Sequence, residues 1–271
     1  MTDFIHQDAL THLSRAETRL ASVLARPRVI AVTCVLALTG AGWLALGLFA
    51  SNADLWDALC RAGMPGEWGG LALILPMWAA MVLAMMLPTA GPMILTYAEI
   101  ADTAAHKGER VVSPFVLAAG YVAVWLGFAA VATALQIALI RAGLLDSGRT
   151  GPVLSGAIFL VAGGYQFSTL KHACLSKCQR PFPFFFSNWT EQTSGVFKLG
   201  LRQGLYCLGC CWAMMLVMFA VGAMNIVWMA ALGILMTIEK MTSTPRFSRS
   251  IGAAFIVIGL TLIAFSVPWV G

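Results

Sequence analysis

Thirty-six consecutive residues, 203–238, carry no charge, and no other feature restricts the possible folds of this chain as much. As one helix the run would extend about 54 Å at about 1.5 Å per residue, far more than a hydrocarbon core about 30 Å thick. It therefore predicts two short membrane helices joined between Gly222 and Asn225. Five more runs, at residues 29–50, 70–87, 113–140, 152–170 and 250–270, each approach the roughly 20 apolar residues that one crossing needs. The expected fold is all-α, a polytopic transmembrane helix bundle of about seven spans.

Composition points the same way. Only 11% of the residues are charged and 59% are hydrophobic, so the usual charged coat of a soluble globule is missing and lipid must cover much of the surface. The longest segment between apolar runs, residues 171–202, holds about one supersecondary unit, which leaves no room for a soluble catalytic domain. The net charge of +5 comes from basic residues placed between runs. It reports orientation in a bilayer and gives no support for nucleic-acid binding.

Short cytoplasmic loops collect Lys and Arg. With seven spans and the N-terminus inside, fourteen of the seventeen basic residues lie on the inner side. Only Arg61, Arg141 and Arg149 lie outside. Fusing the 203–238 run into one span would expel Lys240, Arg246 and Arg249, so the predicted topology is N-terminus inside, C-terminus outside. Residues 1–28 read as a cytoplasmic tail and 29–271 as a single bundle domain. The tail is too long, and the first run too extended, for a cleaved signal peptide. Leu10, Leu13, Leu20 and Leu24 recur at roughly helical spacing opposite Arg15 and Arg19, the pattern of a helix lying on the membrane surface; a partly ordered tail is the other reading.

Five of the seven cysteines fall within a 38-residue stretch: Cys174, Cys178, Cys207, Cys210 and Cys211. Cys34 and Cys60 stand alone. On a helix, Cys207 lies within a turn of Cys210 and Cys211, so the three thiols share a face. Cys174 and Cys178, with His172 beside them and Lys171 marking the membrane edge, follow the fourth span and can fold over the start of the next helix. The predicted cytoplasmic side keeps thiols reduced. Met77, Met81 and Met85 stack at intervals of four along the second span, with Met86 alongside and Pro88 closing the run. Glu239 ends the sixth span beside Lys240. Four segments thus bring soft or acidic ligands to one depth.

Thiolates and thioethers together select Cu(I). Zinc would favour a closed tetrahedral set, which Cys174, Cys178, Cys207 and Cys210 can also supply. Each signal has a plainer explanation: methionine fills core gaps, a single buried cysteine is often inert, and Glu239 can simply pair with Lys240 or a loop arginine. His6, His12 and His106 read as solvated. Pro181, Pro183, Phe184, Phe185, Phe186 and Trp189 read as an aromatic interfacial anchor.

These residues carry a resemblance. Trp78-Ala-Ala-Met81 with Ala84-Met85-Met86-Leu-Pro88, the stretch from Tyr165 through Lys171-His172-Ala-Cys174 to Cys178, and Gly204-Leu-Tyr206-Cys207-Leu-Gly209-Cys210-Cys211-Trp212 running on to Asn225 and Glu239-Lys240 resemble a bacterial family of predicted metal-binding integral membrane proteins, defined by a domain of unassigned function. The likeness covers roughly residues 70–241. It implies a multi-pass protein of the bacterial inner membrane that binds metal, and it implies no reaction.

The first expectation is a membrane protein that holds or transfers Cu(I). Its metal ligands would be Cys207, Cys210 and Cys211 as core thiolates, Cys174, Cys178 and His172 as a cytoplasmic lid, and Met81 and Met85 as thioether support, with Glu239 within reach. Its partners would be the lipid bilayer, the metal ion and another membrane or copper-handling protein. Two other readings stay open. One is a membrane enzyme of thiol or electron-transfer chemistry, and the other is a structural subunit of a larger membrane complex.

Overall fold

The computed structural model describes residues 27–52, 54, 68–146, 149–222, 225–242 and 244–266. The N-terminal leucine pattern and Cys60 lie outside these residues. Within them the chain forms helices α1 (Pro27–Ser51), α2 (Trp68–His106), α3 (Pro114–Arg141), α4 (Pro152–Tyr165), α5 (Thr169–Gln179), α6 (Pro181–Ser187), α7 (Thr193–Val221), α8 (Ile226–Met241) and α9 (Pro245–Ser266). The one sheet among the described residues is a hairpin of two-residue strands, β1 (Leu145–Asp146) and β2 (Arg149–Thr150), with Leu145 opposite Thr150.

The long uncharged run does break where its length requires. Helix α7 ends at Val221, Gly222 takes φ 98°, and Asn225 caps α8 by accepting the backbone N–H of Trp228 at 3.2 Å. An asparagine cap satisfies one of the amides that every helix start leaves unpaired. At the start of α3, Ser113 caps and Pro114 occupies the first turn, where its missing N–H costs nothing.

Five helices (α1, α2, α3, α7 and α9) are long and apolar enough to cross a membrane, and α4 with α5 adds a sixth if the pair, bent by 65°, counts as one span. Helix α8 has 16 residues, about 24 Å, short of a full crossing by itself. Large apolar side chains face outward, among them Phe265, Val227 and Val131. On a soluble protein so much exposed apolar surface would drive association; against lipid it carries no penalty.

Several boundaries differ from those read in the sequence. Helix α2 does not stop at Pro88 but continues through Pro88 and Pro92 to His106. A proline inside a helix removes one backbone bond and crowds one carbonyl, a local cost that tertiary packing outweighs here. Helix α7 starts at Thr193, more than two turns before Arg202, so its cysteines lie mid-helix. Residues 171–202 are themselves largely helical, and Lys171 is fully buried instead of marking a membrane edge. The aromatic stretch is split. Phe182 and Phe186 are exposed, but Phe185 and Trp189 pack on Tyr97 of α2, with ring centroids 5.6 and 5.8 Å apart.

Packing between α3 and α7 rests on glycine. A Cβ at Gly120 would fall 2.3 Å from the Phe197 carbonyl oxygen, and one at Gly200 would fall 2.1 Å from that of Leu117. The backbones touch, and only glycine permits this. The close crossing fixes α7, and with it the cysteines, against Tyr121 of α3.

Candidate metal centre

On α7, Cys207, Cys210 and Cys211 occupy positions i, i+3 and i+4, and all three are sealed inside the protein. The sulfurs of Cys210 and Cys211 are 3.4 Å apart, and the Cys210 thiol donates to the Cys207 carbonyl at 3.1 Å. A second stretch of chain joins them. After α4 the chain bends by 65°, Ser168 caps α5 by accepting from the Lys171 amide, and α5 folds back on α7. The Cys178 thiol then interacts with those of Cys207 and Cys210. Cys174, one turn earlier and half-buried, rests on Gly209, where a Cβ would stand 2.6 Å from its sulfur. The Tyr165 hydroxyl donates to the Gly209 carbonyl, tying the end of α4 to the same turn.

A cation and a phenol complete the cluster. Lys240 donates to the Cys207 sulfur at 2.9 Å and to Thr89 Oγ1 at 2.6 Å. Tyr121 lies 3.0 Å from the same sulfur and 3.1 Å from the Met86 carbonyl oxygen, which also accepts from Thr89 at 2.8 Å. Helices α2, α3, α7 and α8 thus close a ring of polar contacts around one sulfur. Gln203, one turn before Cys207, is buried with its side-chain N–H group unpartnered among the described residues.

Beside the sulfurs sits a separate polar group. Lys171 donates to Glu239 Oε2 at 2.8 Å and to the Cys210 carbonyl at 3.2 Å. Ser248 of α9 donates to Glu239 Oε1, and the Gln179 amide donates to the carbonyls of Glu239 and Thr242 at 3.0 and 2.8 Å. The Glu239 carboxylate is therefore paired with Lys171, and Lys240 is free to face Cys207. Both ends of α5 are fastened to α8 through these bonds.

The sequence-predicted residues divide accordingly. Cys178, Cys207, Cys210 and Cys211 are brought together, and Cys174 lies next to them. His172 is half-buried, about 100° around α5 from Lys171 and off the face formed by Lys171, Cys174 and Cys178. Met81 and Met85 are buried in the core, and Met85 packs on Gly233 of α8. Both carboxylate oxygens of Glu239 are occupied. His106 is exposed, 3.9 Å from Asp102. Spacing alone did not bring out Tyr121, Thr89 or the roles of Lys171 and Lys240. For the two lysines the available signal was charge at the edges of otherwise uncharged runs; Tyr121 and Thr89 carry no such mark.

Among the described residues no three His, Cys, Asp or Glu groups stand as a ready-made metal cage; the sulfurs face one another as thiols. The donor set nevertheless has the chemistry a soft ion wants: several sulfurs, no free carboxylate, and a cation to offset thiolate charge. A family model described as PpoB2, copper chaperone, matches residues 75–262, a stretch that contains every residue of this cluster. No curated protein and no solved structure gives a significant match to the chain.

Proposed function

Since the chain belongs to the PpoB2 copper chaperone family, we propose that it is a multi-pass membrane protein that takes up Cu(I) on cysteine sulfur and passes it to a copper-requiring partner. The observation that carries this reading is the meeting of Cys178 from α5 with Cys207, Cys210 and Cys211 from α7 in one buried cluster. Cu(I) binds well to two or three soft ligands, so a few thiolates suffice and no four-fold cage is needed. Each thiol that becomes a ligand gives up its proton to solvent.

Access favours transfer over permanent storage. The α7 sulfurs are buried, whereas Cys174 and Cys178 are only partly so, which makes α5 the route by which an incoming or outgoing sulfur ligand reaches the metal. Cys174 serves as the outer sulfur, and His172, about 100° around α5 from Lys171, stays out of the metal's ligand shell. Met81 and Met85 form a soft apolar wall. Glu239 acts by pinning α5 through Lys171 and does not ligate the metal. We take the N-terminus as inside and count the 16-residue α8 as a short seventh span, so that this rim faces the cytoplasmic side of the bacterial inner membrane.

Elemental analysis tests the reading. Protein purified in detergent without chelator should carry close to one copper per chain, and Cys207→Ser with Cys210→Ser should remove it. Copper retained by the double variant, or zinc found in place of copper in the parent protein, would overturn the assignment.

A further inference from the structure

We infer that Lys240 is the counter-charge of the bound metal, a positioning residue that neutralises a two-thiolate Cu(I) complex inside the bundle. The inference rests on the copper reading above and adds a residue that does not touch the metal.

The geometry singles out Lys240. Its Nζ lies 2.9 Å from Cys207 Sγ and also donates to Thr89 Oγ1 at 2.6 Å. It is also close enough to Cys178, Cys210 and Cys211 to act on them electrostatically. Among the described residues no carboxylate pairs with it. The adjacent Glu239 is taken by Lys171 and Ser248, so the positive charge of Lys240 faces the sulfurs and the neutral hydroxyl of Thr89.

Charge counting shows what this arrangement does. A Cu(I) ion held by two thiolates carries one net negative charge, the two displaced thiol protons having gone to solvent. In a buried site an uncompensated charge is expensive. The ammonium of Lys240 brings the total to zero. A third thiolate would restore a net negative charge, so Lys240 favours two thiolates, with the remaining soft contacts supplied by neutral thiol or thioether. Thr89 holds the ammonium beside Cys207, so the counter-charge is already in place when the metal arrives.

The test is a competition between the purified protein and a chromophoric Cu(I) chelator, run on the parent and on Lys240→Met, Lys240→Gln and Lys240→Arg. Both neutral variants should bind Cu(I) about tenfold or more weakly, with the Arg variant within about threefold of the parent. Unchanged affinity in Lys240→Met overturns the inference. So does unchanged affinity in Lys240→Gln, which keeps hydrogen-bonding capacity and loses only charge; this variant decides the matter if the Met variant does not stay monodisperse. If the parent itself binds no Cu(I), the copper reading fails first, a different outcome from either of these.

Discussion

At the scale of single residues, the buried Lys171–Glu239 pair is the most consequential feature that spacing did not expose. Both side chains are buried and 2.8 Å apart, so removing one partner strands a charge away from water. We predict that Lys171→Met destabilises the protein by about 3–5 kcal/mol, read as a lowered Tm in detergent, and that Glu239→Gln added to it restores part of the loss. Equal destabilisation by the single and double variants would show that the pair contributes no electrostatic coupling. The cysteines were legible because thiols at i, i+3 and i+4 share a helix face whatever the helix packs against. The partners of Lys171 and Lys240 were not, because a lysine at the end of an apolar run looks the same whether it reaches outward to headgroups or inward to a carboxylate or a sulfur. Only the bend after Tyr165 and the crossing of α8 decide which.

Helices set that decision through their breaks and crossings. The division of residues 203–238 followed from bilayer thickness alone, and α7 and α8 separate at the expected place. The end of α2 could not be read in the same way. Pro88 is a reliable stop signal in an isolated helix, but packing of Tyr97, Ala98 and Ala101 into the core outweighs one missing hydrogen bond. The α3–α7 contact carries its own prediction. Gly200→Leu places side-chain atoms where the Leu117 carbonyl now sits, forcing the helices apart at a cost of about 3 kcal/mol or more. Thermal unfolding in detergent measures it, and an unchanged Tm would mean that the helices are not in backbone contact. A gentler substitution probes the seat of α5. Gly209→Ala sets a methyl group 2.6 Å from the Cys174 sulfur, so that sulfur must move outward. Alkylation of Cys174 should quicken while α7 stays folded; an unchanged rate would place Cys174 elsewhere.

For the molecule as a whole, helical content and burial were written in the hydrophobic runs, while the convergence of α2, α3, α5, α7 and α8 on one sulfur cluster was visible only as a shared depth. The same convergence makes the site asymmetric: Cys207, Cys210 and Cys211 are sealed inside, while Cys174 and Cys178 on α5 are half-buried. With the N-terminus inside, Cys174 in an otherwise cysteine-free variant should react with a membrane-impermeant maleimide in inverted vesicles and resist it in right-side-out vesicles; the opposite pattern would reverse the proposed orientation. Whether these buried sulfurs hold copper is decided by X-ray absorption at the copper edge of Cu(I)-loaded protein. The expected first shell is two or three sulfurs with no nitrogen or oxygen scatterer, unaltered by Glu239→Gln. A shell dominated by nitrogen or oxygen, or one that survives replacement of both Cys207 and Cys210, would contradict it.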